Sequence, residues 1–171
     1  MPRTLLKSLV LGAIFLQLLA CTTSSPKTTN ITTPIHTSGW ETALPGEQGS
    51  AIITFSLPQY ATAEIQLFKG KSERTNPPIA RISLTNENCT VGHLASLSTF
   101  NNSIEKIRYF EKETLWNSTH RLTLSWDNQR YLSVQLNDET IDSSLERKVD
   151  RLRLSSSHQP IYIEHIEFIT K

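Results

Sequence analysis

From residue 40 onward the chain alternates apolar and polar positions in short runs that recur every 8–15 residues. Ile53, Phe55 and Leu57 alternate with Ile52, Thr54 and Ser56. Ile65 and Leu67 alternate with Glu64, Gln66 and Phe68, and Ile82 and Leu84 repeat the pattern. Leu122, Leu124 and Trp126 alternate with Arg121, Thr123 and Ser125, then Leu132, Val134 and Leu136 with Tyr131, Ser133 and Gln135. Leu152 with Leu154 and Ile161 with Ile163 follow. A period of two is the mark of a strand with one buried face, because successive side chains point to opposite sides of the sheet. Several such runs at this spacing predict an all-β, antiparallel β-sandwich.

Three local features refine this reading. Residues 121–138 place two alternating runs around Asp127-Asn128, both good turn formers, which predicts a hairpin with a further turn at Asn137-Asp138. In the last run Ile161 and Ile163 are in step, while Ile166 and Phe168 are out of step with them. One extra residue near Glu164-His165 restores the phase, so a β-bulge is predicted there. Residues 103–112 remain open between helix and strand, since Ile104 and Ile107 stand at helical spacing. Leu145, Val149 and Leu152 also fit a short helix, although residues 150–156 read better as strand.

The chain before residue 40 has a different character. Arg3 and Lys7 precede a run at 9–20 that is apolar except at Gln17, which is too short for a spanning helix and matches a secretory signal layout. The stretch Leu18-Leu19-Ala20-Cys21 resembles the lipobox of bacterial lipoproteins. Leu19 departs from the smaller or β-branched residue commoner in that box. The resemblance implies cleavage after residue 20, acylation of Cys21 and insertion of the acyl chains in a lipid bilayer. Thr22 in place of Asp implies sorting to the outer membrane. Residues 21–39 then read as a lipidated cysteine and a disordered tether, because 12 of the 17 residues from 22 to 38 are Thr, Ser or Pro. The domain plan is signal peptide 1–20, tether 21–39 and sandwich 40–171.

Composition removes several classes of function. The 171 residues carry 17 Lys or Arg against 16 Asp or Glu, so no basic excess draws the chain to nucleic acid. Cys21 and Cys89 are the only cysteines, too few for a disulfide framework, and Cys89 reads as a small buried residue. No nucleophile elbow and no zincin motif occurs. The nearest carboxylate pairs, Glu111 with Glu113 and Glu164 with Glu167, read as solvated. Asp127, Asn128 and Asp138 read as turn formers rather than calcium ligands. No catalytic residue, metal or cofactor is expected.

Trp116, the run Leu122-Thr123-Leu124-Ser125-Trp126-Asp127, residues 132–137 and the pair Ile163 with Ile166 resemble the C-terminal half of a concanavalin A-like, laminin-G-like jelly roll. Asp138 stands where that family often has Gly. The resemblance implies a jelly-roll sandwich and a binding role. Phe68, Tyr131 and Tyr162 fall on the polar phase of their runs, as do Arg121 and Gln135. Exposed rings beside hydrogen-bonding groups suit sugar rings. These five residues are the candidate ligand-binding set, and an envelope glycan is the candidate ligand. A partner protein of the envelope or of a secretion system is the alternative, and a polysaccharide hydrolase a third reading.

Overall fold

The computed structural model describes residues 27–29, 34–35, 38–73, 76–85, 92–102, 104–112 and 114–170. Among the described residues thirteen strands make two antiparallel sheets. In chain order they are β1 (Lys27–Thr29), β2 (Trp40–Ala43), β3 (Gly49–Ser56), β4 (Thr62–Phe68), β5 (Ala80–Thr85), β6 (Gly92–Asn101) and β7 (Ile104–Tyr109). Then come β8 (Thr114–Leu115), β9 (Thr119–Trp126), β10 (Tyr131–Leu136), β11 (Glu139–Ser144), β12 (Arg151–Ser157) and β13 (Tyr162–Thr170). The six-stranded sheet runs β1-β13-β3-β9-β10-β11. The seven-stranded sheet runs β2-β12-β4-β5-β6-β7, with β8 paired to β6.

Alternation fixes which face is core. Ala51, Ile53 and Phe55 of β3, Leu122 and Leu124 of β9, and Leu132, Val134 and Leu136 of β10 are buried. They meet Ile65 and Leu67 of β4, Ile82 and Leu84 of β5, and Leu152 and Leu154 of β12 in one apolar cluster. The hairpin predicted at 121–138 is β9 with β10, paired from Trp126 and Leu132 to Leu122 and Leu136. Asp127 builds its turn. One carboxylate oxygen, Oδ1, accepts the backbone N–H of Gln129 at 2.9 Å and of Tyr131 at 2.8 Å. The register of β13 on β3 shifts between Ile163 and His165, so the bulge is where the phase change placed it. The extra residue lets Ile163, Ile166 and Phe168 all reach the core.

Other expectations are corrected or settled. Residues 104–109 are strand, not helix, and every one of them is exposed. Leu145 and Val149 are buried, but in the non-helical crossover between β11 and β12. Their spacing is that of two plugs dropped by a loop. The tether was expected to bury nothing, yet β1 pairs with β13 and Ile35 is 4% exposed. The Ile35 and Ile161 backbones exchange hydrogen bonds at 3.0 and 3.1 Å, and the Ser156 hydroxyl donates to the Ile35 carbonyl at 2.6 Å. A strand edge with open backbone groups accepts even a polar segment, and one isoleucine suffices as its plug. The sandwich therefore gathers residues N-terminal to Trp40. The signal segment 1–20, Cys21 and Cys89 lie outside the described residues.

Close packing is sharpest where β3 crosses between β13 and β9. A Cβ on Gly49 would lie 2.5 Å from the Ile169 carbonyl oxygen and 3.3 Å from the Trp126 ring. A Cβ on Gly46 would meet nothing nearer than 3.5 Å. Gly49→Ala is therefore expected to destabilise the fold by about 1–3 kcal/mol, through forced separation of β3 from β13. Gly46→Ala is expected to lower the urea midpoint by far less, and comparing the two midpoints at equal slope checks this.

Candidate functional site

Four of the five candidate residues lie on the six-stranded sheet, with side chains on its outer face: Arg121, Tyr131, Gln135 and Tyr162. They do not form one site. Tyr162 is opposite Ser56, and Ser56 is opposite Thr119, at one end of the sheet. Tyr131 adjoins the pair Leu132 and Trp126 at the other end, level with Gly49 and Thr170. At about 3.4 Å per residue and 4.8 Å per strand, the two tyrosines stand roughly 25 Å apart along the strands and about 14 Å across them. Phe68 is a correction. It is on β4 in the opposite sheet and is 2% exposed, at the strand end where the Asp150 N–H donates to its carbonyl. Strict alternation breaks at that end, where Leu67 and Phe68 are both buried. Arg121 and Gln135 lie between the tyrosines, with Gln135 Nε2 spent on the Asn137 carbonyl at 3.2 Å.

Tyr131 opens onto a different feature, a cleft of about 610 Å³ on one flank of the sandwich. One wall comes from β10 and β11: Tyr131, Asp142, Ser143 and Ser144. The facing wall comes from β6 and β7, including Ile104, Lys106 and Arg108. Thr99, Asn101 and Asn102 complete it. Register explains the second wall. Arg108 is paired with Leu97, Lys106 with Thr99 and Ile104 with Asn101, so these three share the face that is core on β6. The six-stranded sheet ends at β11, and β7 overhangs it. Its inner face meets water, and so carries charge.

The cleft has a defined electrostatic centre. Asp142 is held below the ordinary carboxylate range, first by the Ser133 hydroxyl, then by the Tyr131 hydroxyl and the Arg108 charge. The same bond raises the Tyr131 phenol above its usual value, because losing its proton would place two anions together. Arg108 Nη1 donates to the Asp142 carbonyl oxygen. Among the described residues nothing pairs with the Lys106 ammonium. The arrangement offers a half-exposed ring, amides, hydroxyls and cations. The only acid among the lining residues is an ionised, hydrogen-bonded carboxylate.

Two other polar regions already hold internal bonds. In the hollow outside β4 and β12, of about 340 Å³, Gln66 donates to Glu64 at 2.8 Å and Arg153 to Ser72 at 2.8 Å. The β8 end is satisfied only in part: His93 and His120 are both buried, and His93 Nδ1 has no hydrogen-bond partner among the described residues. His93 Nε2 meets the Ala61 carbonyl at 2.9 Å, His120 Nε2 meets the Leu115 carbonyl at 3.0 Å, and Phe55 packs against the His120 ring. Burial pushes both imidazoles below their ordinary value. Among the described residues no three His, Cys, Asp or Glu side chains stand where they would hold a metal ion.

No protein-family model matches the chain, and no curated protein matches its sequence. Its architecture does have solved counterparts. Sheep galectin-11 superposes with a TM-score of 0.58 at 11% identity, over 77% of this chain and 97% of that one. A galectin of Caenorhabditis elegans gives 0.58 at 9% identity, over 84% and 96%. An alginate lyase from Pseudomonas aeruginosa gives 0.57 at 8% identity, over 72% and 65%. The fold is thus the concanavalin A-like jelly-roll sandwich that the sequence resemblance implied.

Two outcomes follow from the titrating groups. The unfolded chain protonates His93 and His120 at ordinary values, while the folded chain resists. Stability is therefore level above about pH 7 and falls as pH drops through 6.5 toward 5, where the unfolded state binds more protons. Urea midpoints across that window measure the fall, and His93→Gln is expected to flatten it. Tyr131→Phe removes one donor from Asp142 and is expected to raise that carboxyl's pKa, as read by NMR titration of the side-chain carbon.

Proposed function

We propose that this protein is a lipid-anchored, non-catalytic glycan-binding module of the bacterial envelope, holding its ligand in the flank cleft. The observation that carries the binding half is the Tyr131 ring, 44% exposed, in a cleft lined also by amides, hydroxyls, two cations, the Asp142 carboxylate and Ile104. A sugar ring has an apolar C–H face and hydroxyls at its edge, so an aromatic platform with hydrogen-bonding neighbours complements both. The galectin-like sandwich is consistent with this reading, and the alginate lyase sharing the fold acts, by its name, on a polysaccharide. Against a hydrolase stand the single carboxylate lining the cleft, where glycoside hydrolysis uses two, and a tyrosine whose raised pKa suits it poorly as a base at neutral pH.

The anchoring half rests on Leu18-Leu19-Ala20-Cys21 and on Thr22, which point to an acylated cysteine in the outer membrane. One acyl chain binds a bilayer only marginally, whereas the several on a lipoprotein cysteine hold it firmly. A second reading, a partner protein of the envelope, draws on the free edge of β7, where Ile107 and Tyr109 are exposed on the outer face. An exposed edge strand with apolar side chains accepts a strand from another chain.

A glycan array followed by calorimetry separates the readings. Tyr131→Ala is expected to weaken glycan binding about tenfold or more with unchanged unfolding, while Tyr162→Ala, at the far end of the sheet, leaves it intact. Unchanged binding by Tyr131→Ala removes the cleft from the function. A crosslinked protein recovered at β7, with no glycan bound on the array, favours the second reading.

A further inference from the structure

We propose that the saccharide taken by the flank cleft is anionic, carrying a carboxylate or a sulfate, and that Lys106 and Arg108 are the residues that select it. This rests on the glycan reading of the same cleft. Ala95 and Leu97 put apolar groups on the inner face of β6, and one strand further out the same face carries Lys106 and Arg108. These are two residues apart on one strand, so their Cα atoms are separated by roughly 7 Å and their charges repel. An overhanging wall that served only to meet water has no need for two cations on the side that faces a cleft. An anionic group seated between them relieves the repulsion and takes charge-assisted hydrogen bonds from both.

Among the described residues Asp142 is the only acid lining the cleft, against the two cations; the Glu146 carboxylate, just outside it, accepts the Asn102 N–H at 3.1 Å. The Asp142 carboxylate is engaged by the hydroxyls of Ser133 and Tyr131, with Arg108 close by. Arg108 is held by one N–H on the Asp142 carbonyl oxygen, which orients the guanidinium and leaves its other donors for a ligand. Lys106 has no partner among the described residues and keeps all three N–H groups. Arg81, on β5 of the same sheet, shows the contrast. Its guanidinium is paired with Glu105 at 2.8 Å and lies over the Phe100 ring, so it is not available in this way.

A free inorganic anion needs only the cations. The lining of the cleft also includes Tyr131 and the amides of Asn101 and Asn102. Cations and an aromatic ring lining one cleft describe a ligand that joins an acid group to a pyranose.

The test uses the full chain in detergent and four tetrasaccharides measured by calorimetry. Tetragalacturonate and a heparin tetrasaccharide carry charge. Methyl-esterified tetragalacturonate and maltotetraose do not. At least one acidic probe is expected to bind tenfold or more tighter than both neutral ones, and to weaken severalfold between 50 and 300 mM NaCl. Lys106→Gln and Arg108→Gln are each expected to lose about fivefold or more for the acidic probe and a clearly smaller factor for a neutral one. Lys106 has no hydrogen-bond or ion-pair partner among the described residues, so its variant is expected to fold as the parent does, which an unchanged urea midpoint checks. Equal binding of acid and ester, abolished by Tyr131→Ala and untouched by Lys106→Gln, overturns the anionic inference and leaves the glycan reading standing. Acid binding that both charge variants leave unchanged removes it from this cleft. If none of the four binds, the inference falls, and the array with Tyr131→Ala decides the broader reading separately.

Discussion

The constraint on which this structure depends is that two stacked sheets bury only the area where they overlap. Within the overlap each strand must give one face to the core, and the alternation of β3, β4, β9, β10 and β12 does so without exception over most of its length. Beyond the overlap the same backbone is free of that demand. β7 is the outcome: it is hydrogen-bonded to β6 along its whole length, yet all six residues are exposed, and its inner face meets the edge of the other sheet where Arg108 reaches the Asp142 carbonyl. The cleft is therefore a consequence of unequal sheets, and its charged wall is what a strand writes on an inner face that never became interior.

What the sequence made legible follows the same rule. Strands in the overlap announce themselves, since burial of one face forces a hydropathy period of two. The bulge in β13 was readable for the same reason: Ile166 and Phe168 had to recover the core phase after Ile163. Strands that escape the rule were hidden. β11 buries Ile141 alone, so its period has nothing to repeat. β6 sets His93, Ala95 and Thr99 inward and Leu94 and Phe100 outward, which blurs the contrast between its faces. β7 places Ile104 and Ile107 three apart on opposite faces of an exposed ribbon, a spacing that mimics a helix.

The candidate site was only partly visible for a related reason. Placing an aromatic on the polar phase identifies a face, not a location on it. Tyr131, Tyr162, Arg121 and Gln135 all proved to be on one outer face, but their grouping depends on register and sheet order, which alternation does not carry. Phe68 failed because a strand's last residue can be covered from its polar side by a crossing loop, here the one ending at Asp150. Lys106 and Arg108 were missed because they lie in the segment left open between helix and strand. On a helix they would have been two ordinary surface charges. As a strand they share a face, and that face turns out to be a wall.

The position of the cleft also bears on how such a domain would hold a ligand. The outer faces of both sheets are largely occupied by their own side-chain bonds, as between Gln66 and Glu64 or Thr119 and Glu164. A polar ligand arriving there must displace bonds already made, and gains little over water. At the flank Arg108 keeps donors beyond its one bond to the Asp142 carbonyl and Lys106 has no partner among the described residues, so a ligand there adds bonds to groups with capacity to spare. Rigidity comes at no extra cost, because β6 and β10 beneath the two walls belong to the ladders that hold the core. A binding site at the rim of a sandwich thus combines the open valences of an edge with the fixed geometry of an interior.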